Sequence, residues 1–371
     1  MNFNSTLKYI APSASMSKGL SEVAVFANLA VGSPDILPPT EINTLCLEYC
    51  KNPNFSYGQT KGSTKALTNL YKLVFNSNPS INPSTQISLC NGAKFGVYLT
   101  LKTICNPQDH VMLLQPYWLS YPDICKSLGL SWSGFEYDFN LDTYNIKKLK
   151  HCLLSANSKV LLLNNPNNPS GKLLSNDFIG EIISFCENLG IWVILDEVYK
   201  DLNFAKQTNL HENLNASNLI RIGSLSKSMA LAGMRIGYVQ GSEDFVSNFN
   251  LFNQHISTCI NSLSMFLMEN ISRECYDSFS KYCAETYKDR YETAKVILKS
   301  KGYSFLESES SFYLLVKVTP HYQDIESAIK ALEQKGIIVT QGAHYGEQFK
   351  DYFRVCLTLP KAKLEETLSL F

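Results

Sequence analysis

Short apolar runs alternate with longer stretches in which apolar residues return every three or four positions, and this alternation dominates residues 60–240. The runs 87–90, 111–114, 159–163, 191–195, 219–222 and 235–240 read as strands, and 130–137 alternates as a further one. Helical spacing falls on 42–50, on 64–76 (with Leu67, Leu70, Tyr71 and Val74 on one face), on 95–104 and on 176–189. Strands apolar on both faces and interleaved with helices predict a mostly parallel α/β sheet of about seven strands, covered by helices. Beyond residue 245 the pattern changes. Residues 245–300 read as helical, with a long charged helix over 276–301. Strands 304–306, 312–318, 337–340 and 352–357 with a helix over 325–335 then predict a smaller α+β domain. The expected organisation is an N-terminal arm (1–45) contributing to the small domain, a large domain (46–270) and a small C-terminal domain (271–371).

Composition narrows the function classes. The chain has 371 residues, 45% of them hydrophobic, which suits about two packed domains and excludes disorder. Lys+Arg and Asp+Glu are both 33, so neither a basic nucleic-acid surface nor an acidic tail is present. Eleven cysteines are scattered without C-x-x-C or zinc-type spacing, which points to a reducing compartment and to no metal. With no signal-peptide pattern and no apolar run near the ~18 residues of a membrane helix, a soluble cytoplasmic protein is expected. Only five cations are arginine: Arg221, Arg235, Arg273, Arg290 and Arg354.

The candidate chemistry collects where strands end. Ligands of a parallel sheet gather at the carboxyl ends of its strands. Five apolar strands here end in Gly92-Ala93-Lys94, Tyr117-Trp118, Asn168-Pro169-Ser170-Gly171, Asp196-x-x-Tyr199 and Ser224-x-Ser226-Lys227. Each has a plain alternative: a helix start, a core tryptophan, a turn, an N-cap, a surface lysine. Their coincidence on one sheet edge favours a site. Lys227 lies between hydroxyl residues, and Arg235 follows eight positions later. A nucleophilic amine beside a phosphate-gripping guanidinium suits that spacing.

In its motifs the chain resembles the pyridoxal-phosphate-dependent aminotransferases of fold type I, class I/II, and most closely the aspartate, aromatic and methionine transaminase branch. The motifs, in family order, are Gly32-Ser33-Pro34-Asp35, Tyr57-x-x-x-x-Gly62, Asn91-Gly92-Ala93-Lys94, Pro116-Tyr117-Trp118, the 165–171 loop, Asp196-Glu197-Val198-Tyr199, Ser224-x-Ser226-Lys227 with Arg235, and Phe353-Arg354. The resemblance implies pyridoxal 5'-phosphate as cofactor. Lys227 would hold it as a Schiff base and then act as acid and base. Asp196 would face the ring nitrogen, Tyr199 and Asn168 the phenolic oxygen, and Trp118 the ring face. Gly92, Ala93 and Lys94 at a helix start, with Ser224, Ser226 and Arg235, would hold the phosphate. Tyr57 would reach the phosphate of the other subunit, implying a homodimer with shared sites. Arg354 would clamp the substrate α-carboxylate beside Gly32, Trp118 and Asn168, drawing the small domain inward. Cis peptide bonds are expected before Pro116 and Pro169.

The same scaffold hosts carbon–sulfur β-lyases, so lyase chemistry is the alternative to ping-pong amino transfer. The amino donor is not legible. The distal carboxylate of a dicarboxylic donor would need Lys18, Arg221, Arg273 or Arg290. The many aromatic residues lean instead toward neutral or aromatic donors, with 2-oxoglutarate as acceptor.

Overall fold

A computed structural model describes residues 25–204, 214, 216–319 and 321–371. After a two-residue strand, β1 (Ala27–Asn28), come seven strands of one sheet: β2 (Ile87–Asn91), β3 (His110–Leu114), β4 (Ser131–Phe135), β5 (Ser158–Asn164), β6 (Trp192–Asp196), β7 (Leu219–Ser224) and β8 (Ile236–Gln240). Their order is β2-β8-β7-β6-β5-β3-β4. Only β8 runs against its neighbours; the pairs β3–β4, β3–β5, β5–β6 and β6–β7 are parallel. The unbroken apolar runs have a direct cause. Alternate residues of one strand feed opposite cores: Leu161, Leu163, Val193 and Leu195 one, Val160, Leu162, Ile194 and Ile220 the other.

Helices seal both faces. Ile179, Ile182, Ile183 and Cys186 of Asn176–Glu187 cover the first core, while Val97 and Leu101 of Ala93–Ile104 and Phe249 of Glu243–Ile256 cover the second. Each fully buried aliphatic side chain contributes about 1.5–3 kcal/mol, more than the roughly 0.5–1 kcal/mol of rotamer freedom it gives up. Local chemistry sets the helix ends. Ser63 accepts from the Ala66 amide to start Thr64–Phe75, and Asn76 stops it in the left-handed region at φ 50°.

The second unit is an antiparallel sheet of β9 (Ser304–Phe305), β10 (Tyr313–Lys317), β12 (Thr340–Gln341) and β13 (Tyr352–Cys356), in the order β12-β13-β10-β9. Between them in sequence, β11 (Ile337–Ile338) pairs in parallel with β1 instead. The run 337–340, expected as one strand, is therefore two strands in two sheets. The arm claims the first pair and β13 the second, a choice made by tertiary contact alone. The long helix, Arg273–Ser300, is capped by Ser272 and buries Tyr287, Arg290, Tyr291 and Ala294.

Other boundaries move by a residue or two. Arg235 leaves the strand and stands at φ 58°, and the helix expected from 95 begins at Ala93, directly after Gly92. The helices Ser120–Ser127, Ile146–Ser155 and Lys361–Ser369 are additional to those expected. The arm is pinned by the Cys356 amide donating to Leu29 O (2.9 Å) and by a two-bond ion pair between Arg290 and Asp35 (2.7 and 2.9 Å). Among the described residues no helix is long and apolar enough to cross a membrane, and no three side chains cluster as metal ligands.

Candidate active site

Two strand ends and the start of one helix set the centre. β6 ends on Asp196, which accepts from the Tyr121 hydroxyl (Oδ2, 2.7 Å) and from the Val198 amide (Oδ1, 3.2 Å). Burial raises its carboxyl to about 6 even though both donors favour the anion. β7 ends on Ser224, and the next turn carries Lys227 into the interior, where Nζ donates to Gly32 O at 2.6 Å. Burial lowers its ammonium to about 8, with Arg354, Arg235 and Lys94 adding to the effect. An amine so depressed is part neutral near physiological pH, as a nucleophile must be.

Beside it lies an anion cradle. Gly92 has φ +84° and precedes Ala93–Ile104, whose first amides lack partners within the helix. A Cβ on Gly92 would stand 2.2 Å from an Arg235 Nη, and one on Gly237 2.5 Å from Gly92 C, so this backbone approach requires glycine on both sides. The Ser224 and Ser226 hydroxyls lie 2.7 Å apart alongside. Helix-start amides, a guanidinium and two hydroxyls converging on one spot are suited to a phosphate.

Opposite the cradle runs a buried circuit. An Arg354 Nη donates to Asn168 Oδ1 (3.0 Å), Asn168 Nδ2 donates to the Tyr199 hydroxyl (3.4 Å), and that hydroxyl lies 2.9 Å from the Tyr313 hydroxyl. The Arg354 guanidinium sits 4.6 Å from the Tyr313 ring centre. Among the described residues its buried Nε has no hydrogen-bond partner, a donor left over for a ligand. Trp118 stands edge-on to Tyr121, and Lys94 Nζ lies 4.8 Å from the Trp118 ring.

One cavity of about 490 Å³ is lined by Gly32, Ala93, Lys94, Trp118, Asn168, Asp196, Tyr199, Ser224, Ser226, Lys227, Arg235 and Arg354. Gly92 abuts it through Arg235. Tyr57 is apart, 88% exposed on the surface. Tyr121, behind Asp196, and Tyr313, in the lining, were not anticipated. Tyr121 stands one helical turn beyond Trp118, a spacing that points to it. Tyr313 carries no motif; it becomes visible only through the β10–β13 register, which sets Leu315 opposite Arg354 and Tyr313 opposite Cys356, on one face.

The arginines proposed for a distal carboxylate lie elsewhere. Arg221 pairs with Glu197, Arg290 with Asp35 and Arg273 with Asp277, and none lines the cavity. Lys18 lies outside the described residues. The peptide bonds before Pro116 and Pro169 are cis, as is a third before Pro166.

These groups fit pyridoxal 5'-phosphate. A phosphate, a basic ring nitrogen, a phenolic oxygen and an aldehyde carbon each find a matching group around this cavity: the cradle, the buried Asp196, the Tyr199–Asn168 pair and Lys227. The comparisons agree. The chain shares its fold with the aspartate aminotransferase of Thermus thermophilus solved with maleate (TM-score 0.93, 20% identity, 100% of this chain and 99% of that one). A Staphylococcus aureus aminotransferase superposes with TM-score 0.88 at 22% identity, covering 99% and 98%. In sequence it is 23% identical to the aspartate aminotransferase of Thermotoga maritima (86% of this chain, 83% of the relative). It is 26% identical to the LL-diaminopimelate aminotransferase of Natranaerobius thermophilus (92% and 89%). The sequence model of the family "Aminotransferase class I and II" matches residues 25–371, and the chain belongs to that family.

Proposed function

We propose that this protein transfers the amino group of a dicarboxylic L-amino acid to 2-oxoglutarate, by a ping-pong sequence in the cavity around Lys227. The observation that carries the reading is the convergence of a depressed lysine, a buried aspartate and an anion cradle on one cavity. The family depends on pyridoxal phosphate, which when bound supplies an electron sink for the carbanion left by loss of the substrate Cα proton.

The chain's own residues do the rest. Lys227 would hold the cofactor, and its amine would take and return the proton at substrate Cα. Asp196, starved of solvent, would face the ring nitrogen and, as an anion, keep it protonated. Tyr199 and Asn168 donate to the phenolic oxygen, and Trp118 covers the ring. The Ala93 and Lys94 amides behind Gly92, with Ser224, Ser226 and Arg235, hold the phosphate. Arg354 grips the α-carboxylate beside Gly32 and Asn168. Because Arg354 stands on β13, that grip draws the small domain (271–371, with the arm) onto the large one (46–270).

Among the described residues, four cations line the cavity. Lys227, Arg235 and Arg354 have the roles above, which leaves Lys94. Among the described residues its ammonium is placed only against the Trp118 ring, and burial depresses it. A distal carboxylate answers that charge better than an aromatic donor does, and relatives named for aspartate and for LL-diaminopimelate support the preference. Tyr57 is exposed, as are the apolar Leu37, Leu47 and Phe55, which suits a homodimer in which it reaches the partner's phosphate. Eleven unpaired cysteines suit the cytoplasm.

The test is a donor panel with 2-oxoglutarate, scored by glutamate formed. Aspartate leading the panel supports the reading. Pyruvate and ammonia released from cysteine conjugates, with no glutamate, would replace it with the β-lyase.

A further inference from the structure

Tyr313 has no role in the site as read so far, although it is fully buried and touches three of the site's parts. Its hydroxyl is 2.9 Å from the Tyr199 hydroxyl. It also packs on Gly32 so closely that a Cβ there would stand 2.1 Å away, and Gly32 O is the acceptor for Lys227. Its ring lies under the Arg354 guanidinium.

We propose that Tyr313 is a positioning residue whose hydroxyl donates to Tyr199 and thereby turns the Tyr199 O–H toward the cavity. The inference rests on Tyr199 facing the cofactor, as proposed above. Proton counting carries it. A phenol has one proton to give and two lone pairs. Two groups reach the Tyr199 oxygen, Asn168 Nδ2 at 3.4 Å and Tyr313 at 2.9 Å. Asn168 Nδ2 can only donate. If Tyr313 donates as well, both lone pairs are filled and the Tyr199 proton has one direction left, into the cavity. If Tyr199 donated to Tyr313 instead, its proton would be spent away from the ligand.

The surroundings choose the first arrangement. Among the described residues the Tyr313 hydroxyl has no other hydrogen-bond partner, and it fills the space a Gly32 Cβ would take. Consistently, the bond from Tyr313 lowers the Tyr199 hydroxyl against the rise that burial imposes. Because Arg354 holds Asn168, a carboxylate arriving at Arg354 acts on the same circuit from its other end.

The experiment is a spectrophotometric pH titration of the bound cofactor in the holoenzyme, for wild type, Y313F, Y199F and Y313F/Y199F. A donor at the phenolic oxygen favours the oxygen's anion, so losing it moves the absorbance midpoint up. Y199F is expected to show the largest rise. Y313F should rise by about half to one unit, the scale of one neutral hydrogen bond, with a few-fold weaker retention of the cofactor on dialysis. The double variant should match Y199F. A Y313F midpoint equal to wild type, or shifts that add in full in the double variant, would overturn the inference while the site reading stands. A Y199F midpoint equal to wild type removes both. Should Y313F not fold, Gly32→Ala displaces the same hydroxyl with the ring retained; it must also move the midpoint up, and an unmoved one overturns the inference.

Discussion

The Lys227 ammonium donates to the backbone carbonyl of Gly32 across 2.6 Å, joining two residues 195 positions apart. The arm thereby lies over the amine and shields part of it from water. The lowering of Lys227 to about 8 follows from that enclosure.

Gly32→Ala tests the enclosure kinetically. The added Cβ meets the Tyr313 hydroxyl at 2.1 Å and its ring at 2.9 Å, so the hydroxyl and the arm must move apart. A displacement of about 1 Å at a reacting group is worth up to ~10²-fold. We expect kcat/KM to fall by roughly tenfold to a hundredfold, with the thermal midpoint little changed.

Lys227→Met in the apo-protein tests the charge. The unfolded chain titrates this lysine at its ordinary 10.5, the folded chain at about 8. Below pH 8 both states carry the proton, and burying the ammonium weighs fully against the fold. Between 8 and 10.5 the unfolded state holds the extra proton, so wild-type stability rises with pH. The variant is expected to melt several degrees higher at pH 7, with the gap closing by pH 10, read from thermal scans across that range. A constant gap would rule out the depressed lysine.

Lys94→Gln separates donor classes. If Lys94 meets the distal carboxylate, kcat/KM for aspartate should drop by about tenfold or more, the scale of a charge-assisted hydrogen bond. The value for a neutral donor should hold. Equal losses for both would assign Lys94 to the cofactor instead.

Arg354→Lys removes the fork but keeps the charge. Lysine cannot hold Asn168 and a carboxylate in one plane. KM for every amino acid should rise by roughly tenfold to a hundredfold.

Behind the site, Arg221 binds Glu197 through Nε and Nη (3.1 and 2.9 Å), both residues fully interior. Glu197 follows Asp196 directly. Arg221→Met leaves the carboxylate to the Tyr238 hydroxyl (2.8 Å) and the Lys200 ammonium (3.5 Å) and should destabilise by about 1–3 kcal/mol in denaturant titrations. Glu197→Gln added to it should recover part of that loss.

Much of this was legible along the chain because strand periodicity and site chemistry are both local. The run 159–163 is apolar throughout since its alternate residues enter two cores, and Gly92, Asp196 and Lys227 announce themselves by standing at strand ends. The site arginines were legible as Arg235 and Arg354, whose motif neighbours mark them. The distal-carboxylate candidates Arg221, Arg273 and Arg290 misled, because a cation's sequence position says nothing about which carboxylate its side chain reaches. Each found an acidic partner away from the cavity.

By itself the sequence determined the order of strands and helices, the two-part architecture and the residue types at the sheet edge, since these follow from patterns a few residues long. Tertiary structure alone decided that 337–340 divides between two sheets, that Tyr121 supports Asp196, that Lys94 is the cation left over, and that Tyr313 stands between Tyr199, Gly32 and Arg354. All four depend on pairings between segments tens to hundreds of residues apart. Such pairings are set by how whole surfaces pack, and no local pattern encodes them.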